Sequence, residues 1–274
     1  LTVKTLRKKK KIRIGVLISG GGSNLQAVID SCENGKINGK LIFVGSDNPK
    51  ADGLKRAAKY QIPSFVVDYD SIILLFKKDA TRLRLPDDFN LEDILAKQSF
   101  FGADDDPEKI HFFLQARAIA EQKLLDEMRA YPFDLLVLAG FMRNLTPYFI
   151  DRVNLDYVCP RIMNIHPALL PAFPGMDGYG DTFRYGCKVG GCTVHFIDYG
   201  EDTGPIIGQR TFPISGDDTL DSVRKKGLQL EWELYPQCIQ LFAEGRLKTV
   251  KKTFALSNGK EVQRTIVEIL PKAQ

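Results

Sequence analysis

The chain has 274 residues, 44% of them hydrophobic, which suits one large domain or two small ones with an ample core. No apolar run reaches the roughly 18 residues of a membrane span, so no membrane partner is expected, and a net charge of +4 is too small to make nucleic acid the default partner. Five cysteines without a C-x-x-C spacing, beside only three histidines, exclude a zinc cluster from the expectations; no metal and reduced thiols in a cytoplasmic protein are expected.

Much of the positive charge sits in residues 1–11, as Lys4, Arg7, Lys8, Lys9, Lys10 and Lys11. Neither interleaved aromatics nor an apolar signal core follows, and the segment reads as a solvated basic tail. Residues 12–18 have the β-branched, aliphatic pattern of a buried strand. Ser19-Gly20-Gly21-Gly22-Ser23-Asn24 follows at once, and Leu25, Val28, Ile29 and Cys32 then recur at helical spacing. Strand, glycine loop and helix start present free backbone N–H groups to an anion. The same pattern also serves an ordinary tight βα turn. It is neither a Walker loop nor a full dinucleotide fingerprint, because no Lys-Ser/Thr follows and Leu25 stands where a third glycine would.

Residues 41–44 and 64–67 read as further strands around a helix with Leu54, Ala57, Ala58 and Gln61. This βαβαβ order predicts a parallel sheet. Residues 70–106 lose the clean period and read as an insertion of short helices. Pro107 opens a long helix to about residue 130, with Ile110, Leu114, Ile119, Leu124 and Met128 inward and His111 on it. Residues 134–139 form a fourth strand, and the loop from Gly140 to Pro147 leaves its carboxyl end, where open α/β sheets bind ligands.

The stretch Ile162-Met-Asn-Ile-His166 is an apolar strand carrying Asn164 and His166 on one side, since they are two residues apart. An amide and an imidazole held side by side can donate to an oxyanion and handle a proton; a satisfied core histidine beside a turn asparagine is the other reading. Residues 188–197 and 206–212 have β character, with His195 as a supporting or sheet-packing residue and an acidic turn between them. Asp217, Asp218 and Thr219 cap a helix of about residues 220–243, on which Glu231 alone reads as an exposed helix carboxylate. Residues 248–274 form an extension that Asn258-Gly259 folds into a hairpin, with one sheet running through the chain.

Four blocks together resemble the folate-dependent phosphoribosylglycinamide formyltransferases: Val16-Leu-Ile-Ser-Gly-Gly-Gly-Ser-Asn-Leu-Gln26, Val137-Leu-Ala-Gly-Phe-Met-Arg143, Asn164-Ile-His-Pro-Ala-Leu-Leu-Pro171, and Thr193-Val-His-Phe196 with Asp202-Thr-Gly-Pro205. The resemblance spans residues 12–247, taken as the formyltransferase domain. It implies an α/β, Rossmann-like, mostly parallel twisted sheet with helices on both faces, plus the C-terminal β-hairpin. It implies formyl transfer from 10-formyltetrahydrofolate, as co-substrate, to glycinamide ribonucleotide, and it leaves a homodimer open. Asn164, His166 and Asp202 would be catalytic; Asp202 would orient a charged His166 and shuttle the proton. Gly20, Gly21, Gly22, Ser23 and Asn24 would hold the phosphate, and Glu231 the amine side of the substrate, against the exposed-carboxylate reading. Arg117, Met142, Arg143, Asn144, Leu145, Asn164, Asp198, Tyr199, Gly200, Glu201 and Asp202 would form the folate pocket. The chain departs from the family pattern at Tyr179 and Trp232, where histidines are common, at Asn144, where isoleucine is, and in the length of 70–106. Another folate-dependent formyltransferase, a formyltetrahydrofolate deformylase and a non-catalytic nucleotide-binding module are the alternatives.

Overall fold

The computed structural model describes residues 10–102, 104–154 and 159–272, so the basic tail up to Lys9 lies outside the described residues. In chain order the elements are β1 (Ile12–Ile18), α1 (Ser23–Glu33), β2 (Gly39–Ser46), α2 (Gly53–Lys59), β3 (Ser64–Val66), α3 (Tyr69–Lys78), α4 (Leu91–Lys97), α5 (Pro107–Met128), β4 (Leu135–Leu138), α6 (Pro147–Val153), β5 (Ile162–His166), α7 (Gly178–Arg184), β6 (Val189–Phe196), β7 (Ile206–Pro213), α8 (Leu220–Ala243), β8 (Leu247–Ala255) and β9 (Glu261–Ile269).

Seven strands form one sheet in the order β3-β2-β1-β4-β5-β6-β7. Pairing is parallel from β3 through β5 and antiparallel at β5–β6 and β6–β7. Period-two alternation divides the core between the two faces. Ile14, Val16, Ile18, Leu135 and Val137 pack toward α1 and α8, while Leu17, Leu136 and Leu138 pack toward α3, α5 and α6. The chain moves outward from β1 to β3, then restarts on the other side of β1 with β4. That reversal opens a crevice at the carboxyl ends of β1 and β4. The loops leaving those strands are joined there: Ser19 N–H donates to the Gly140 carbonyl (3.0 Å) and Met142 N–H to Ser19 Oγ (2.8 Å).

The capping residue of α8 is Thr219, whose side chain and Ser222 cap each other. Its Tyr235 hydroxyl lies 2.9 and 2.8 Å from the carbonyls of Leu138 and Met163, which pins α8 across β4 and β5. The hairpin turns at Asn258-Gly259, but β8 and β9 pair only with each other as a separate two-stranded sheet. The expectation of a single sheet is corrected here: β7 is an edge that β9 approaches without joining its ladder. Within residues 70–106, α3 buries Tyr69, Ile72 and Phe76 against α5, and α4 buries Ile94.

Glu121 of α5 is fully buried and accepts from Thr146 N–H (2.8 Å) and Thr146 Oγ1 (2.5 Å). Burial pushes its carboxyl up to about 7, outweighing the lowering by those two hydrogen bonds. A folded-state value above the unfolded one means that the folded state keeps the proton longer. Stability from this group is therefore full below the ordinary glutamate range and is lost as pH rises to 7. Its size is on the order of 3 kcal/mol. Glu121→Gln should flatten that fall, as read from urea midpoints of both proteins at pH 5 and pH 8.

Candidate active site

A cleft of about 520 Å³ opens at the carboxyl ends of the strands. At one end lies the glycine loop. Gly22 has φ 70° and sits where an added Cβ would stand 2.9 Å from the Gly53 backbone, so a side chain there is excluded twice over. Gly53 N–H donates to the Gly20 carbonyl (3.0 Å) and Arg56 Nε to the Gly21 carbonyl (2.9 Å). In a trans peptide the following N–H points the opposite way, so the Gly21 and Gly22 N–H groups turn away from α2. With the first turn of α1 they supply backbone donors of the kind that suit an anion, and Arg56 and Arg224 line the same cleft.

Asn24 and Glu231 bring two distant segments together. Asn24 Nδ2 donates to Glu231 Oε2 at 2.6 Å, and the carboxyl, with 4% exposure, is no surface helix group. Burial raises its pKa, while the hydrogen bonds from Asn24 and Tyr179 and the nearness of His166 pull it back.

Mid-cleft, β5 presents Asn164 and His166. Opposite Asn164 in the antiparallel register is His195, whose Nδ1 is 2.9 Å from the Phe196 carbonyl. A carbonyl only accepts, so Nδ1 carries the proton. Burial holds this histidine below its ordinary range, against the pull of Asp202. The neutral Nε2 is then an acceptor, and Asn164 Nδ2 donates to it at 3.2 Å. One N–H of the amide is thereby fixed, and the second is aimed elsewhere. His195 is thus a positioning partner of Asn164.

His166 is 3% exposed, with Nδ1 3.2 Å from Asp202 Oδ2 and Nε2 2.8 Å from the Phe173 carbonyl. Donation by Nε2 to a substrate requires that oxygen to take the place of the Phe173 carbonyl. Asp202 also accepts from Gly175 N–H (2.9 Å) and holds φ 54°, an unusual value that asparagine and aspartate tolerate best.

The other end of the cleft is more apolar. Met142, Leu145, Phe141, Ile197 and Phe100 line it, with Arg143, Asn144, Gly200 and Glu201. Asn144 Nδ2 donates to Glu201 Oε1 (3.1 Å), tying the two rims. The Arg143 guanidinium is engaged by Asp47 and by Asp70 (2.8 Å). Three expected residues stand off the cleft. Arg117 is 8% exposed, with its guanidinium over the rings of Phe113 (5.0 Å) and Tyr69 (5.4 Å). The Tyr199 hydroxyl donates to Asp151. Asp198 accepts from Gly200 N–H (3.2 Å) and Thr203 Oγ1 (2.7 Å), shaping the loop from within.

Phe100, Tyr179, Arg56 and Arg224 were not singled out as site residues by sequence. Phe100 reaches the cleft because Ser99 N–H donates to the Tyr199 carbonyl (3.0 Å) and Lys97 pairs with Asp151 (2.8 Å). An unperiodic insertion carries no signal for such docking.

Residues 12–239 match the family described as formyl transferase. A phosphoribosylglycinamide formyltransferase of Haemophilus influenzae is 33% identical over 253 residues, 92% of this chain and 97% of that protein. The human trifunctional purine biosynthetic protein adenosine-3 is 30% identical over 241 residues, 88% of this chain and 19% of that longer protein. The crystal structure of glycinamide ribonucleotide transformylase 1 from Symbiobacterium toebii superimposes with a TM-score of 0.68 at 34% identity, covering 96% of each chain. The chain belongs to the formyl transferase family, among the phosphoribosylglycinamide formyltransferases.

Proposed function

We propose that the chain moves the formyl group of 10-formyltetrahydrofolate to the primary amine of glycinamide ribonucleotide, in purine biosynthesis in the cytoplasm. The observation that carries this reading is the meeting of Asn164, His166 and Asp202 in the middle of one cleft with an anion cradle at one end and apolar walls at the other. The substrate phosphate lies on Gly20–Asn24, with Glu231 receiving the amine side. The folate rings lie against Met142 and Leu145. Attack of the amine on the formyl carbon makes a tetrahedral oxyanion. The free N–H of Asn164 donates to that oxygen, joined by His166 Nε2 once the Phe173 carbonyl is exchanged for it. Asp202, directly or through a water, takes the proton from the amine and returns it to the leaving folate nitrogen. No covalent enzyme intermediate is needed.

The test mixes the protein with a formyl-folate and follows deformylation by absorbance, with and without glycinamide ribonucleotide. Loss that depends on the ribonucleotide is the expected result; equal loss without it would make the protein a hydrolase. Phe100→Ala should raise KM for the formyl-folate about tenfold, by removal of an aromatic wall. KM for the ribonucleotide should stay within about twofold, because Phe100 is docked beside the Tyr199–Gly200 loop through Ser99 and not on the glycine loop. An equal rise for both substrates would remove Phe100 from the folate end.

A further inference from the structure

Tyr179 of α7 is 5% exposed, and its hydroxyl donates to Glu231 Oε1 at 2.6 Å. With Asn24 on Oε2, the carboxylate has one donor on each oxygen, and neither donor is charged. Helix α8 makes room for this contact. Gly227, one turn before Glu231, lies so close to the tyrosine that an added Cβ would stand 2.1 Å from its Cζ and 2.4 Å from its hydroxyl oxygen. The ring also packs on Phe212, at 6.2 Å between centroids. Pairing a buried tyrosine with a facing glycine in order to reach one carboxylate is costly unless the contact is used: glycine inside a helix is destabilising relative to alanine.

We propose that the Tyr179 hydroxyl is a positioning group that keeps Glu231 ionised and aimed into the cleft to receive the amine end of the ribonucleotide, an inference that rests on the function proposed above. Burial alone would favour a neutral carboxyl there, which could not accept from an amine on both oxygens. The titratable and polar groups near enough to act on Glu231 are Asn24 on α1, Tyr179 on α7, His166 at the end of β5, Cys192 on β6 and Tyr235 on α8. Two of them, Asn24 and Tyr179, hydrogen-bond it. Because Asn24 lies in the first turn of α1, directly after the glycine loop, the same carboxylate joins the phosphate end of the cleft to the amine end.

Tyr179→Phe keeps the ring, its packing on Phe212 and the fit against Gly227, and removes only the donor. In protein labelled with carbon-13 at the glutamate carboxyls, the Glu231 resonance is assigned by its absence from Glu231→Gln. Its titration midpoint should rise in Tyr179→Phe by about one pH unit or more. KM for glycinamide ribonucleotide should rise about tenfold with kcat within about threefold, and the thermal midpoint should stay near that of the wild type. A midpoint that does not move, or a KM that stays at the wild-type value, overturns the proposal. If the wild type shows no deformylation dependent on the ribonucleotide, the functional reading falls, and the carboxyl midpoint alone then decides the role of Tyr179.

Discussion

Asn164→Ala should lower kcat by a factor of about 10²–10³ while leaving KM for both substrates within a few-fold, because the role proposed for its amide is on an oxygen that becomes charged only as the reaction proceeds. The geometry makes this a strong expectation. Asn164 is held on a central strand between β4 and β6, so its backbone has little freedom. His195 takes one of its two N–H groups, and the remaining one is directed before the substrate arrives. A donor aimed in advance does not spend reaction energy on reorientation. The same argument makes His195→Phe a milder lesion: it keeps a planar ring in the site, somewhat larger, but leaves the amide free to rotate. About tenfold in kcat is expected for it, and the double variant should be no slower than Asn164→Ala alone, because His195 acts through that amide. Steady-state kinetics on the three variants, with circular dichroism to check the fold, settles the point. Turnover unchanged in Asn164→Ala would remove the oxyanion role altogether.

How far the site could be read in advance depended on the range of the interactions that build it. The glycine loop was legible because strand, turn and helix start are neighbours in sequence. Asn164 and His166 were legible as a same-side pair because the strand period is two. The long helix α5 announced its buried positions by spacing, and all of Ile110, Leu114, Ile119, Leu124 and Met128 are inside. Glu231 was different. Its helix was predicted with both ends in place, yet whether residue 231 faces solvent or cleft depends on which side of α8 the sheet covers. That is decided by Tyr235 bonding to β4 and β5 and by Gly227 admitting Tyr179. Arg117 and Tyr199 stand at expected places in the chain but turn their side chains into protein, toward aromatic rings and Asp151. No local pattern encodes that choice. The hairpin turn was legible from Asn258-Gly259, whereas its separation from the main sheet was not: pairing partners are a tertiary property.

Asp202→Asn should reduce kcat by about 10²–10⁴, the range of a lost proton-transfer group, and it separates chemistry from architecture better than alanine would. Asparagine tolerates the left-handed φ that residue 202 adopts, and its amide oxygen can still accept from Gly175 N–H. The loop should therefore keep its shape. What is lost is the negative charge beside His166 Nδ1, 3.2 Å away, and the basic oxygen that would take the proton of the attacking amine. The amide oxygen that keeps Gly175 N–H is also the atom beside His166 Nδ1, since Oδ2 makes both contacts, so His166 faces a neutral acceptor in place of a carboxylate; the amide nitrogen takes the place of Oδ1, 3.6 Å from His195 Nε2. Both consequences act on the chemical step and neither on the phosphate cradle, so KM for the ribonucleotide should hold within a few-fold. Small carboxylates should restore part of the turnover to Asp202→Ala, whose cavity admits them, and none to Asp202→Asn, which fills it. A variant Asp202→Asn that keeps more than about a tenth of wild-type kcat would show that the proton leaves by another route, such as bulk water entering from the open side of the cleft.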